Sequence, residues 1–145
     1  MKRYLVPVAL GAVLGAGGLS LASHGGPGGE TVKVLSERDV NVSIDGKEAR
    51  ATTVEVTFGP GVEGKPHRHP GPVFGYVLEG KFELGLDDRP SEIIKAGETF
   101  YEPAGAVHRV GRNAAAKGST RLLVVSLHSR DAKGILLPAG TGGDE

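Results

Sequence analysis

The stretch GVEGKPHRHPGPVFGYVLEG, from Gly61 to Gly80, decides how this chain is read. His67 and His69 stand two residues apart, after a Gly/Pro-rich approach and before a run of β-formers. Alternate residues of a strand point to the same face, so the two imidazoles can converge on one point. Neutral imidazole is the commonest protein ligand for a first-row transition metal, and such a pair supplies two adjacent sites. His108 follows in a similar setting, GETFYEPAGAVH, about one hairpin further on.

Outward from that stretch the pattern is β. Strands are expected over Thr31–Leu35, Val40–Ile44, Ala51–Phe58, Val73–Glu79, Lys81–Leu86, Ser91–Lys95, Glu98–Tyr101, Val107–Gly111, Thr120–His128 and Ile135–Leu137. Asp45-Gly46, Gly59-Pro60-Gly61 and Asp87-Asp88-Arg89-Pro90 punctuate them as turns. No segment carries a helical period of convincing length. Eight to ten short strands with frequent turns argue for a sandwich or a barrel, whose inward faces bring distant residues together.

At 145 residues the chain is one domain's worth. Lys plus Arg and Asp plus Glu balance at 17 each, which gives no electrostatic footprint for nucleic acid or an anionic membrane. There is no cysteine, so disulfides and thiolate ligands are excluded and any metal takes N and O ligands.

Residues 1–22 read as a secretion signal: Lys2 and Arg3, an apolar run from Leu5 to Leu21, and the small-x-small pattern Ser20-Leu21-Ala22. The expected location is secreted or periplasmic, with an uncleaved N-terminal anchor as the alternative and no stable membrane insertion once the signal is removed. Residues 23–30, SHGGPGGE, read as a flexible lead-in whose His24 is solvated, 31–138 as the barrel, and 139–145 as a disordered tail.

The two histidine settings resemble the paired motifs of the cupins. In the first, Gly61, His67, His69 and Gly80 fall at the family's spacing. In the second, Gly97, Pro103, Gly105 and His108 match, while Asn113 comes one residue late. The resemblance covers about Thr52 to Leu127 and implies a single-domain all-β jelly-roll (double-stranded β-helix) barrel. It also implies His67, His69 and His108 as ligands of a divalent transition metal: Fe, Mn, Ni, Cu or Zn. One departure is plain. The family's glutamate position holds Val73, with Phe74 at the other permitted spacing, and neither can ligate.

Three readings of that loss stay open. A three-histidine site still runs chemistry, as in some cupin dioxygenases; a carboxylate elsewhere, Glu102 or Glu79, substitutes; or the barrel binds a small apolar ligand without metal. Strand parity puts Glu102 with Phe100 and opposite Tyr101, so only one set faces inward. Tyr101 and Glu102 are candidates to touch the metal-ligating side chains or the substrate. Arg68 and Arg109 alternate with the histidines and point outward, and His128 reads as a half-exposed strand end. The resulting expectation is a small extracytoplasmic metal-binding cupin, with a dioxygenase-like oxidoreductase on a small organic molecule as its candidate activity. Its alternative is a non-catalytic small-molecule or metal-binding module. A small-molecule partner and a homodimer are the expected associations.

Overall fold

A computed structural model describes residues 29–140. The signal expected over 1–22, most of the lead-in with His24, and residues 141–145 lie outside the described residues. Among the described residues, ten strands form two five-stranded antiparallel sheets: β1 Glu30–Ile44, β2 Lys47–Phe58, β3 His67–Arg68, β4 Val73–Glu79, β5 Lys81–Leu86, β6 Glu92–Lys95, β7 Thr99–Glu102, β8 Val107–Asn113, β9 Thr120–Ser129 and β10 Leu137–Pro138. One sheet has the order β1-β2-β9-β4-β7, the other β10-β3-β8-β5-β6. This is the expected all-β jelly roll. Among the described residues no helix is long and apolar enough to cross a membrane.

Period-two alternation builds the interior. Along β9, Thr120, Leu122, Val124, Ser126 and His128 are buried and every residue between them is partly exposed. Along β4, Val73, Gly75 and Val77 face in while Phe74 and Tyr76 face out. Phe82 of β5 joins the sheets, its ring centroid 5.7 Å from Phe58 and 5.3 Å from Phe100. Burying such a side chain contributes about 1.5–3 kcal/mol. Gly75 makes room for that packing, because a Cβ there would stand 1.9 Å from the Phe100 ring.

β1 departs from expectation. Two short strands were expected, but one runs unbroken from Glu30 to Ile44. Register shifts between Val34 and Ser36 and between Val40 and Ser43 absorb extra residues, and pairing with β2 carries the polar segment 36–39 through as strand. Lys33, Glu37, Arg38 and Asp39 are exposed along it, charges that blunt a sheet edge. The turn to β2 is Asp45-Gly46, both at positive φ, as a tight hairpin requires.

Candidate metal centre

Two short segments deliver the histidines. β3 pairs with β8 so that His67 lies opposite His108, and Gly105 N–H donates to the His69 carbonyl at 2.9 Å. Arg68 points away from both neighbours, as alternation predicts. Its guanidinium donates to the carbonyls of Ala139 and Gly105 (both 2.6 Å), which pins residue 139 to the barrel. Arg109 also faces out, donating to the carbonyls of Asp87 and Arg89.

A bulge explains why Asn113 comes late. His108 and Asn113 are an odd number of residues apart, so strict alternation would set them on opposite faces. β5 pairs Gly85 with Val110 and Leu86 with His108, leaving Arg109 as the extra residue. Both His108 and Asn113 are therefore buried. Asn113 donates to the Gly59 and Gly118 carbonyls and accepts from Thr120.

Backbone carbonyls fix two tautomers. His67 Nδ1 lies 2.9 Å from the Lys65 carbonyl oxygen, and His69 Nδ1 lies 2.7 Å from that of Ile135. A carbonyl only accepts, so both Nδ1 atoms carry the proton. In the neutral rings each Nε2 is then a bare lone pair, and the two Nε2 atoms stand 3.1 Å apart. Burial keeps the rings neutral. It lowers His67 to about 4 against the carbonyl bond to Lys65, and lowers His69 despite Glu102 nearby.

Glu102 closes the cluster. Its side chain is 3 % exposed, with Oε2 3.1 Å from His108 Nδ1 and 3.5 Å from His69 Nε2. Burial pushes its carboxyl up, but the neighbouring His108, then His69 and His67, outweigh that and hold it below its ordinary value. Although His108 Nδ1 is close, the two groups are not aligned for a hydrogen bond. Glu102 Oε2 and both His108 nitrogens remain buried without a partner. Such atoms cost free energy unless something satisfies them.

A cation would satisfy one nitrogen of His108, since each imidazole offers a single ligand atom. One atom from each of His67, His69 and His108 falls within a 4.8 Å group. Adjacent nitrogen ligands at about 2.1 Å from an octahedral ion sit about 3.0 Å apart, which matches the Nε2 pair. The three histidines could bind a divalent transition metal, and their hydrogen bonds to backbone carbonyls are the outer contacts that orient imidazole ligands.

Beside the cluster opens a cavity of about 1050 Å³. Val54, Val56, Phe58, Phe82, Leu122 and Val124 make its walls largely apolar. Two polar groups there went unforeseen. Glu30 begins β1 instead of ending a lead-in, and shares the inward phase of Val32 and Val34. Its carboxylate faces Gly64, and burial raises its pKa although His108 opposes the shift. Reading the Glu30-Val32-Val34 alternation one residue earlier would have found it. Ser126, also on the wall, has a buried hydroxyl without a partner.

The other expected residues scatter. The structure does not bring Tyr101 to the histidines: it is exposed on the outer face, its ring 5.2 Å from that of Phe74. Alternation dictates this, since its neighbours Phe100 and Glu102 both point in. Tyr76 is also exposed, and Glu79 faces solvent near Arg121. His128 is buried rather than half-exposed. Its Nδ1 donates to the Ser129 carbonyl, and its Nε2 accepts from the Thr52 hydroxyl at 2.8 Å.

Residues 54–126 match the cupin domain family. The chain is similar to dimethylsulfoniopropionate lyase DddW of Ruegeria pomeroyi, 45 % identical over 51 residues, covering 35 % of this chain and 33 % of that one. It is 31 % identical over 94 residues to oxalate oxidase GF-2.8 of Triticum aestivum, covering 57 % and 39 % respectively. Among solved structures, recombinant oxalate oxidase in complex with glycolate superposes with a TM-score of 0.56 at 27 % identity, over 77 % of this chain and 56 % of that one. The chain thus spans a third to two fifths of the lengths of these two curated relatives.

Proposed function

Because the chain belongs to the cupin family, we propose that it is a metal-dependent oxidoreductase acting on a small, oxygen-bearing organic molecule. The observation that carries this reading is the pair of bare Nε2 lone pairs 3.1 Å apart, beside His108 and at the wall of a cavity. His67, His69 and His108 would hold the ion. When bound, the metal supplies Lewis acidity and, if redox-active, one-electron chemistry toward a coordinated oxygen ligand.

The chain's own residues do the rest. The carbonyls of Lys65 and Ile135 hold the imidazoles in the ligating tautomer. Val54, Phe82, Phe100 and Leu122 exclude water and would pack the organic part of the substrate. Glu30 offers a half-buried carboxylate able to accept or return a proton. An extracytoplasmic location is part of the same reading, supported by the charged head and apolar run of residues 1–22.

The similarity to a dimethylsulfoniopropionate lyase favours one other reading, a lyase using the metal as a Lewis acid alone. A single experiment separates the two. Metal content is measured on purified protein and on the His67→Ala/His108→Ala variant, followed by oxygen uptake with oxalate, glycolate and simple phenols. Stoichiometric metal that disappears in the variant, with oxygen uptake by the wild type, supports the oxidoreductase. Turnover of dimethylsulfoniopropionate without oxygen uptake supports the lyase. Metal-free protein whose melting temperature ignores added metal and chelator sinks both, and leaves a non-catalytic small-molecule binder.

A further inference from the structure

We propose that Glu102 is itself a metal ligand, the carboxylate that Val73 cannot supply having moved to the neighbouring strand. The inference rests on the metal-binding reading above and adds a fourth protein ligand. Val73 and Glu102 are direct cross-strand partners between β4 and β7. Both are buried on the inward face, at 0 % and 3 % exposure. Directly paired side chains start only about 5 Å apart, so a carboxylate at either position can reach the same histidines.

Three observations distinguish a ligand from a carboxylate that merely orients a histidine. First, an orienting carboxylate meets the imidazole nitrogen remote from the metal. For His69 that nitrogen, Nδ1, is already taken by the Ile135 carbonyl, and Glu102 Oε2 instead faces Nε2, the nitrogen shared with His67. Second, the separations of 3.1 Å and 3.5 Å from Oε2 to the nitrogens of His108 and His69 are those of adjacent ligands on one ion. A polyhedron with bonds of about 2.0–2.2 Å has edges of about 3.0–3.5 Å. Third, Oε2 has no hydrogen-bond partner although the side chain is almost fully buried.

The relocation has a chemical consequence. Three neutral imidazoles leave a divalent ion with its full charge, whereas one carboxylate cancels half of it and adds a hard oxygen donor. That tilts the site toward Mn(II) and Fe(II) relative to an all-nitrogen set.

The test uses Co(II) and Mn(II) titrations, with Co(II) absorption spectra, on wild type, Glu102→Gln, Val73→Glu and Val73→Glu/Glu102→Val. Circular dichroism checks each fold. Glu102→Gln should lose at least about 10–100-fold in affinity, the cost of removing an orienting partner, and the distinguishing readout is a change in the Co(II) spectrum. The double variant should recover to within about tenfold of wild type, and Val73→Glu alone should bind no more tightly. An unchanged affinity and spectrum in Glu102→Gln would overturn the proposal. So would a large gain from Val73→Glu alone, which would mean that the fourth position had stood empty. Should Val73→Glu not fold, the isosteric Glu102→Gln still decides. A folded wild type that takes up neither ion fails the metal-binding reading itself, a result distinct from an insensitive Glu102.

Discussion

Gly111 lies under the imidazole of His108: a Cβ at position 111 would stand 2.6 Å from Nε2. That space is what lets the His108 ring occupy the inward face after the bulge at Arg109. Gly111→Ala should therefore push the ring aside and weaken metal binding at least about tenfold, while the barrel remains folded. Metal titration alongside far-UV circular dichroism checks it. Unchanged affinity would mean that the ring is not held by this contact.

Acid should loosen the metal-free protein through His67. Burial lowers its pKa from about 6.5 to about 4, so the unfolded chain binds more protons than the folded one between those values. Stability is fully present above about 6.5 and falls as the pH drops toward 4, by a few kcal/mol at most. Urea melts of apo protein across that window should show the slope, and His67→Asn should reduce it. Bound metal should be released as the pH falls toward and below about 4, where the folded imidazole itself takes up a proton.

Glu30 should act with the opposite sign. Its folded pKa is raised, chiefly by burial, so ionisation as the pH rises past the unfolded value favours the unfolded chain. In the apo protein, Glu30→Gln should raise the melting temperature at neutral pH and leave it unchanged near pH 3. An equal effect at both pH values would assign the gain to packing rather than charge.

Tyr101 should be dispensable for metal. Its side chain is exposed on the outer face, with the ring against Phe74. Tyr101→Phe should leave Co(II) affinity and spectrum unchanged and alter stability by no more than about 0.5 kcal/mol. A shifted Co(II) spectrum would contradict this placement.

His128 gives a structural counterpart. Thr52→Val removes the hydroxyl that its buried Nε2 accepts from, leaving that nitrogen unpaired. The expected loss is about 1–3 kcal/mol by denaturant titration, with no change in metal affinity.

Much of the barrel was legible in the residues. Val73–Glu79 and Lys81–Leu86 begin and end where their alternation and flanking glycine placed them. The polar stretch 36–39 was not legible as strand, because only pairing with β2 makes it one. His128 was misread for a similar reason: its burial comes from a partner, Thr52, that lies 76 residues away.

The sequence by itself determined what alternation can reach: that His67 and His69 share a face, that Arg68 opposes them, and that Glu102 travels with Phe100 rather than Tyr101. These follow from stereochemistry within a few residues of one strand. Only the tertiary structure decided which carboxylate meets the histidines, because that depends on the register of β4 against β7, where Val73 faces Glu102. It also decided that Glu30 enters the cavity and that a bulge returns Asn113 to the inside. Cross-strand register is set by packing and turn geometry over the whole sheet, which no local pattern contains.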